Sequence, residues 1–440
     1  MIFKKLLFLF LLLTISVNAR YVIENEFKEK VYVRTYGNSS NEAIILVHGM
    51  GNEASSLFEE VIENLRDNYY VLTFDLPGFG KSTKSNQLYS MKRYVKFIHN
   101  LKNKYIHKKY HLLGHSMGGA ISLKYAADYQ NEIKSLIIVD AAGVLTKQSF
   151  SQEIIKSNIN KVLGPKAKEY GIDVAIAKIP SFLESLIPID MGKIINSSHA
   201  RKYLLKSNST AISALSLVDQ DYSNIIKNIT LNTLIIWGEN DPIATIKTGY
   251  ALHKLITHSK LSIISNSQHV PFVDSYDTFM KYLKKHLLNP YYSSPSKPIY
   301  LKHKSIIWDN VNNRIISGDI NYLELNNCKN ITIKDAKIKE FQIFQSRVNI
   351  LHSELNPHYV SYVIDSILDI VASKITNDRP IEIYNSTIAL IAVDIKSRTT
   401  IFKNLNPLFT NKIQFSLSNK NGNSMHGEYK LEKNRTKLYK

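Results

Sequence analysis

The chain is 440 residues long, enough for two or three domains, and 44% of it is hydrophobic, which excludes a disordered composition. Its formal net charge of +19 comes from 56 Lys and Arg against 37 Asp and Glu. No nucleic-acid-binding signature accompanies that charge, which leaves plain solubility or contact with an anionic membrane surface or polymer. A single cysteine, Cys328, excludes an intrachain disulfide scaffold.

At the N-terminus, Lys4-Lys5 precede an apolar run from Leu6 to Leu13, and Val17-Asn18-Ala19 supplies small residues at a cleavage spacing. A basic start, a short apolar stretch and such a site describe a secretory signal peptide over residues 1–19, and so an exported protein, periplasmic, surface-bound or secreted. The run is short for a membrane span; an uncleaved anchor is the alternative.

Next, Val31-Tyr32-Val33-Arg34-Thr35-Tyr36 alternates as an antiparallel strand does. Ala43-Ile44-Ile45-Leu46-Val47 is a continuous apolar run, as expected of a strand buried on both faces, and it leads into His48-Gly49-Met50-Gly51. A second such run, Tyr70-Val71-Leu72-Thr73-Phe74, leads into Asp75-Leu76-Pro77-Gly78-Phe79-Gly80-Lys81-Ser82, with Leu57, Val61 and Leu65 at helical spacing between the two. Then His111-Leu112-Leu113 runs into Gly114-His115-Ser116-Met117-Gly118-Gly119, followed by the helix-competent Ala120-Ile121-Ser122-Leu123. Strand, sharp turn and helix in that order lift the Ser116 hydroxyl out of the fold at a strained position that close-packing glycines permit. A further strand, Ser135-Leu136-Ile137-Ile138-Val139, ends at Asp140. Strands alternating with helices predict a parallel α/β sheet covered on both faces.

Residues 143–229 break the rhythm, with helical-period apolar residues (Ile154, Ile155, Val162, then Ile176, Ile179, Phe182) punctuated by Pro165, Pro180 and Pro188. The strand pattern resumes at Thr233-Leu234-Ile235-Ile236-Trp237, followed by Gly238-Glu239-Asn240-Asp241-Pro242. Leu261-Ser262-Ile263-Ile264 is the last strand of the series, and Ser267-Gln268-His269 follows it.

The segments 43–50, 74–82 and 112–119, in that order and spacing, resemble the α/β-hydrolase superfamily, and the resemblance extends over about residues 31–288. It implies a serine–acid–histidine triad in chain order: Ser116 as nucleophile, Asp241 as acid and His269 as base. Asp140, at the end of the preceding strand, is the alternative acid, as in some lipases. The resemblance also implies an oxyanion hole from the backbone N–H groups of Met50 and Met117, a cap formed by the 143–229 insertion, and no metal or organic cofactor. His48 and His115 are expected to pack around the site, and Asp75 and Ser82 to shape a loop. The substrate class is a small-molecule or lipid ester, with no nucleic-acid partner. Acyl transfer, thioester cleavage and C–C bond hydrolysis are alternative reactions for the same residues.

A Pro/Ser-rich linker follows at residues 289–298. Beyond it, Phe341-x-Ile343-x-x-Ser346-x-Val348-x-Ile350 aligns with Ser361-x-Val363-x-x-Ser366-x-Leu368-x-Ile370 and with Ile381-x-Ile383-x-x-Ser386-x-Ile388-x-Leu390, a period of 20 residues. A looser copy, Leu323-x-Leu325-x-x-Cys328, precedes them and puts Cys328 at an inward corner. Stacked apolar residues at a fixed period predict an all-β region over 299–422, a β-solenoid, with a β-sandwich as the alternative. Asn-rich corners suit positive φ. Residues 423–440 are read as a basic tail. The sequence thus predicts an exported serine esterase or lipase of α/β-hydrolase fold with an all-β C-terminal region. The alternative is a surface-binding or adhesin protein in which that region is the main functional part.

Overall fold

The computed structural model describes residues 18–145, 191–290, 303–377, 379–397, 399–406 and 409–431. The expected leader up to residue 17, the cap segment 146–190 and most of the linker lie outside the described residues. Asn18 and Ala19, the last residues of the expected leader, pair with Thr35 and Arg34 in an edge strand.

Eight strands form the first sheet: β1 (Asn18–Ile23), β2 (Lys30–Tyr36), β3 (Glu42–Val47), β4 (Tyr69–Phe74), β5 (Tyr110–His115), β6 (Ile133–Val139), β7 (Thr233–Gly238) and β8 (Ser259–Ile264). Their order across the sheet is β1-β2-β4-β3-β5-β6-β7-β8. β1–β2 and β2–β4 are antiparallel, and every later pairing is parallel. The continuous apolar strands β3 and β5 lie in the interior of that order and are buried almost throughout, as two-sided covering demands.

The covering helices are α1 (Glu59–Leu65), α2 (Met91–Tyr105) and α3 (Met117–Tyr129), then α4 (Met191–Asn196), α5 (Ser198–Tyr203), α6 (Ser209–Val218) and α7 (Ser223–Lys227) from the insertion, and finally α8 (Ile246–Leu255), α9 (Pro271–Asp274) and α10 (Tyr276–Leu288). In α6 eight of the ten residues are buried, because the helix sits in the fold rather than on it. Ser209 donates to the Gly78 carbonyl at 2.6 Å, Ser213 meets the Tyr94 hydroxyl at 3.1 Å, and Leu217 covers Gly143. The described part of the cap is therefore anchored to the loop after β4.

The C-terminal region is a second, 15-stranded sheet. Strand pairings put residue i against residue i+20 through the central coils: Val348–Leu368–Ile388, Ile343–Val363–Ile383 and Leu355–Ile375–Ile395. These are parallel ladders in three rows, so the strands build a solenoid-like stack. A β-sandwich would pair its strands antiparallel, and among the described residues of this sheet only the terminal hairpin, Asn411–Lys420 with Asn423–Leu431, does so. That hairpin corrects the expected tail: residues 423–431 form a strand closing the end of the stack, where an unpaired ladder would otherwise be left open.

The corners follow one rule. Asn327, Gln345, Asp365 and Asn385 all have φ between 44° and 51°, and each precedes a buried small residue: Cys328, Ser346, Ser366 and Ser386. Each serine hydroxyl accepts the backbone N–H of the equivalent residue one coil earlier, at 2.8 Å for Cys328 to Ser346, 3.0 Å for Ser346 to Ser366 and 3.1 Å for Ser366 to Ser386. The serine ladder satisfies buried donors at corners where the strand ladder breaks. Cys328 occupies the serine position of its coil and is fully buried, as expected.

The stack packs against the first sheet's helices. Leu351, Val371, Ala372, Ile391, Ala392 and Leu417 belong to the same hydrophobic core as the residues around β1–β8. Lys247 of α8 pairs with the buried Asp369 at 2.7 Å, and Lys254 with Asp394 at 2.9 Å.

Candidate active site

Ser116 lies between the end of β5 and the start of α3, with φ 54° and ψ −123°. A non-glycine residue there stores about 1–3 kcal/mol of strain, which persists only where the surroundings over-determine it. They do so by close approach. A Cβ on Gly118 would stand 2.2 Å from the Val47 carbonyl oxygen, so the first turn of α3 can reach β3 only with glycine at this position. The Ser116 N–H donates to Val139 at 3.0 Å, and its carbonyl accepts from Ala120 and from Ala142, both at 3.2 Å. The turn is thereby tied to the end of β6 as well as to its own helix.

His269 follows β8 on the segment 265–270. Its Nε2 is 2.9 Å from the Ser116 Oγ and its Nδ1 is 2.8 Å from Asp241 Oδ2. Asp241 has only acceptor atoms when ionised, so Nδ1 carries the proton and Nε2 accepts from the serine hydroxyl. The other Asp241 oxygen, Oδ1, accepts the N–H groups of Ile243 at 2.8 Å and Ala244 at 3.0 Å. All three side chains are at most 5% exposed by residue. The loops carrying the acid and the histidine are zipped together: Asn240 N–H donates to Ser267 at 2.9 Å and Glu239 N–H to Ile264 at 3.0 Å. Gly238 makes that contact possible, since a Cβ there would stand 2.0 Å from the Gln268 carbonyl oxygen. Beyond His269, Asp274 accepts the Gln268 N–H at 3.1 Å and ties the histidine segment to α9.

The expected oxyanion donors flank the serine. Met117 is the first residue of α3, where an N–H has no partner within the helix. Gly49, before Met50, runs so close that its Cβ would lie 2.6 Å from the Ser116 Cβ. Among the described residues neither the Met50 nor the Met117 N–H donates to a backbone carbonyl in a loop or turn.

Both flanking histidines are structural. His48 Nδ1 donates to the Gly49 carbonyl at 2.6 Å while its Nε2 accepts the Leu76 N–H at 2.8 Å, which fixes the loop before Met50. His115 Nε2 donates to the backbone carbonyl of His269 at 2.8 Å. Burial holds His48 below its ordinary range and His115 well below it, so both are neutral at pH 7. Asp75 shapes its loop as expected, accepting Ser55 N–H at 3.0 Å and Lys81 N–H at 2.7 Å.

Asp140 is not the acid that meets His269. Its Oδ1 accepts the Gly238 N–H at 2.9 Å, and its carboxyl faces Asp241. Two features escaped sequence reasoning. Asp274, six residues beyond the histidine-bearing turn's Gln268, looks like any first-turn acid. The burial of both sides of strands Ile367–Val371, which packs against α8, and Thr387–Ile391 was signalled by an unbroken run, Ile388-Ala389-Leu390-Ile391-Ala392-Val393, where alternation should hold.

The strand order, the serine elbow and the histidine after the last parallel strand are those of the α/β-hydrolase fold, and the N-terminal part of the chain is similar to that superfamily. A family model described as the alpha/beta hydrolase fold matches residues 42–164. Lipase 3 of Moraxella sp. (strain TA144) is 28% identical over 272 residues, covering 58% of this chain and 83% of its own. Lipase 1 of Psychrobacter immobilis is 26% identical over 254 residues, covering 57% of this chain and 78% of its own. The crystal structure of a putative lipase from Acinetobacter baumannii superposes with a TM-score of 0.47 at 21% identity, over 62% of this chain and 92% of that one. The C-terminal half is unmatched.

Proposed function

We propose that the protein is an exported serine esterase or lipase that cleaves carboxylic esters through an acyl-enzyme. The observation that carries this reading is the continuous chain Ser116–His269–Asp241, with contacts of 2.9 and 2.8 Å. As Ser116 Oγ attacks the ester carbonyl carbon, His269 Nε2 takes the hydroxyl proton, and Asp241 stabilises the imidazolium and its orientation. The carbonyl oxygen becomes an oxyanion accepting from the Met50 and Met117 N–H groups, each such donor contributing about 3–4 kcal/mol to the transition state. When the tetrahedral intermediate collapses, the C–O bond to the alcohol breaks and His269 returns its proton to the leaving oxygen. Water then repeats the cycle: His269 takes its proton, the acyl–serine bond breaks, the acid is released and Ser116 is reprotonated.

The two lipase relatives favour ester substrates, and Lys4-Lys5 with the apolar run 6–13 favours export. The test is hydrolysis of a p-nitrophenyl ester series from short to long acyl chains. Ser116→Ala is expected to lower kcat by about a thousandfold or more. A wild-type rate in that variant would overturn the proposal. Turnover only of emulsified long chains would select a lipase, and only of short soluble ones an esterase.

A further inference from the structure

A second buried carboxyl, Asp140, stands behind the one that meets His269. It has zero exposure, follows the end of β6, and adopts φ 43°, a left-handed conformation in which aspartate is enriched among non-glycine residues. One oxygen, Oδ1, is committed to the Gly238 N–H at 2.9 Å, the residue that opens the acid loop. The other, Oδ2, is fully enclosed and receives no donor from the protein. The Asp241 carboxyl is the side-chain neighbour that acts on Asp140 both through its charge and as a hydrogen-bond partner.

Two adjacent carboxyls with no cation between them cannot both be ionised. The donors decide which one bears the charge. Asp241 receives three: the Ile243 and Ala244 N–H groups and His269 Nδ1–H. Asp140 receives one. We propose that Asp140 is a positioning residue that carries a proton on Oδ2 and donates it as a hydrogen bond to Asp241, while its Oδ1 anchors the acid loop at Gly238. This assignment rests on the reading of Asp241 as the acid partner of His269. The charged groups facing Asp140 all point the same way. Burial is the largest cause raising its ionisation well above the carboxylate range, followed by Asp241, with Asp274 of α9 adding to it. A neutral acid in this place adds a fourth donor to an Asp241 carboxylate whose two oxygens already accept from Ile243, Ala244 and His269, and it tempers the negative charge felt by the imidazole.

The test separates a neutral donor from an ionised acid. Asp140→Asn keeps both the donor toward Asp241 and the acceptor for Gly238. Asp140→Ala loses both. In the full-length protein, Asp140→Ala is expected to lower kcat/KM for a p-nitrophenyl ester by about tenfold or more, the scale of one lost buried hydrogen bond to a charged group. It should also move the acidic limb of the kcat/KM profile to higher pH, because an untempered Asp241 favours the imidazolium more. Asp140→Asn is expected to restore kcat/KM to within about threefold of wild type and to return the limb to its place. Loss in Asp140→Asn as deep as in Asp241→Asn would overturn the proposal, since Asp140 would then act ionised. An unshifted limb in Asp140→Ala would overturn it as well. Should Asp140→Ala fail to fold, infrared difference spectra decide: wild type minus Asp140→Asn must contain a protonated carboxyl C=O band at neutral pH, and its absence overturns the proposal. That band is read without turnover, so it stands apart from the ester-hydrolase reading, which fails instead if Ser116→Ala keeps wild-type activity.

Discussion

Gly118 is the residue on which the elbow depends most directly, since its missing Cβ leaves room for two backbone carbonyls of the β3 end, Val47 at 2.2 Å and His48 at 2.5 Å. Backbone cannot rotate aside as a flexible side chain does. Gly118→Ala is therefore expected to displace the first turn of α3 and with it the Met117 N–H, lowering kcat by about a hundredfold while KM changes little; stopped-flow hydrolysis with saturating ester checks it. The residues of this site were legible because local chemistry marks them: glycines bracket Ser116, and Asp241 and His269 each follow the end of a clear strand. Asp140 was legible as an acid and as a rival for the role of Asp241, but not as its neighbour. Which of two buried carboxyls meets His269 depends on where the loops after β6 and β7 converge, and no local pattern records that.

At the scale of elements, buried neutral histidines tie strands and helices together and set the response to acid. His111 on β5 and His286 on α10 both reach Ser135 on β6, at 2.7 and 2.8 Å. Burial pushes His111 down to about 4 and His286 to about 3, and it also lowers His48 and His115. In the unfolded chain these histidines take up protons near pH 6.5, while in the folded chain they resist until well below it. The unfolded state thus binds more protons between about pH 6.5 and 4, and stability is present above that window and lost as pH falls through it. Asp140 acts with the opposite sign, because its raised ionisation favours the folded state at low pH. The histidine contribution is expected to lower the melting temperature as pH falls from about 6.5 to 4; a flat calorimetric profile over that range would contradict it. In the C-terminal stack the ordering element is the serine ladder. Ser366→Ala strips the acceptor from the Ser346 N–H and leaves that donor buried. A loss of about 1–3 kcal/mol is expected, measured by urea unfolding. The 20-residue period made this ladder visible before any coordinates, since the small residue recurs in phase with the apolar ones. The terminal hairpin was hidden because Asn423–Leu431 is polar and basic, and its partner strand breaks the period by inserting five residues before Asn411.

For the whole molecule, the question is whether the two sheets act as one body. The stack does not present only its polar outer row to the helices. Asp369, Ala389 and Gln414 stand in register on that outer row and are each at most 2% exposed, so the face is covered. The contact falls on α8, the helix that directly follows the loop holding Asp241. Within it the Lys247–Asp369 pair is asymmetric: the aspartate side chain is 2% exposed and the lysine 12%. Lys247→Met takes a cation away from an enclosed carboxylate, which is expected to cost up to about 3–5 kcal/mol. Asp369→Asn leaves an ammonium on a long stem that can turn toward water, and the cost is smaller. Replacing both, Lys247→Met with Asp369→Leu, removes the charges together and is expected to recover most of the loss, because the desolvation cost vanishes with the attraction. Calorimetry on the four proteins reads the order directly. If Lys247→Met splits the melting curve into two transitions while the double replacement restores one, the ion pair couples the stack to the hydrolase; if all four melt alike, the apolar contact of Val371, Ile391 and Leu417 holds the docking by itself.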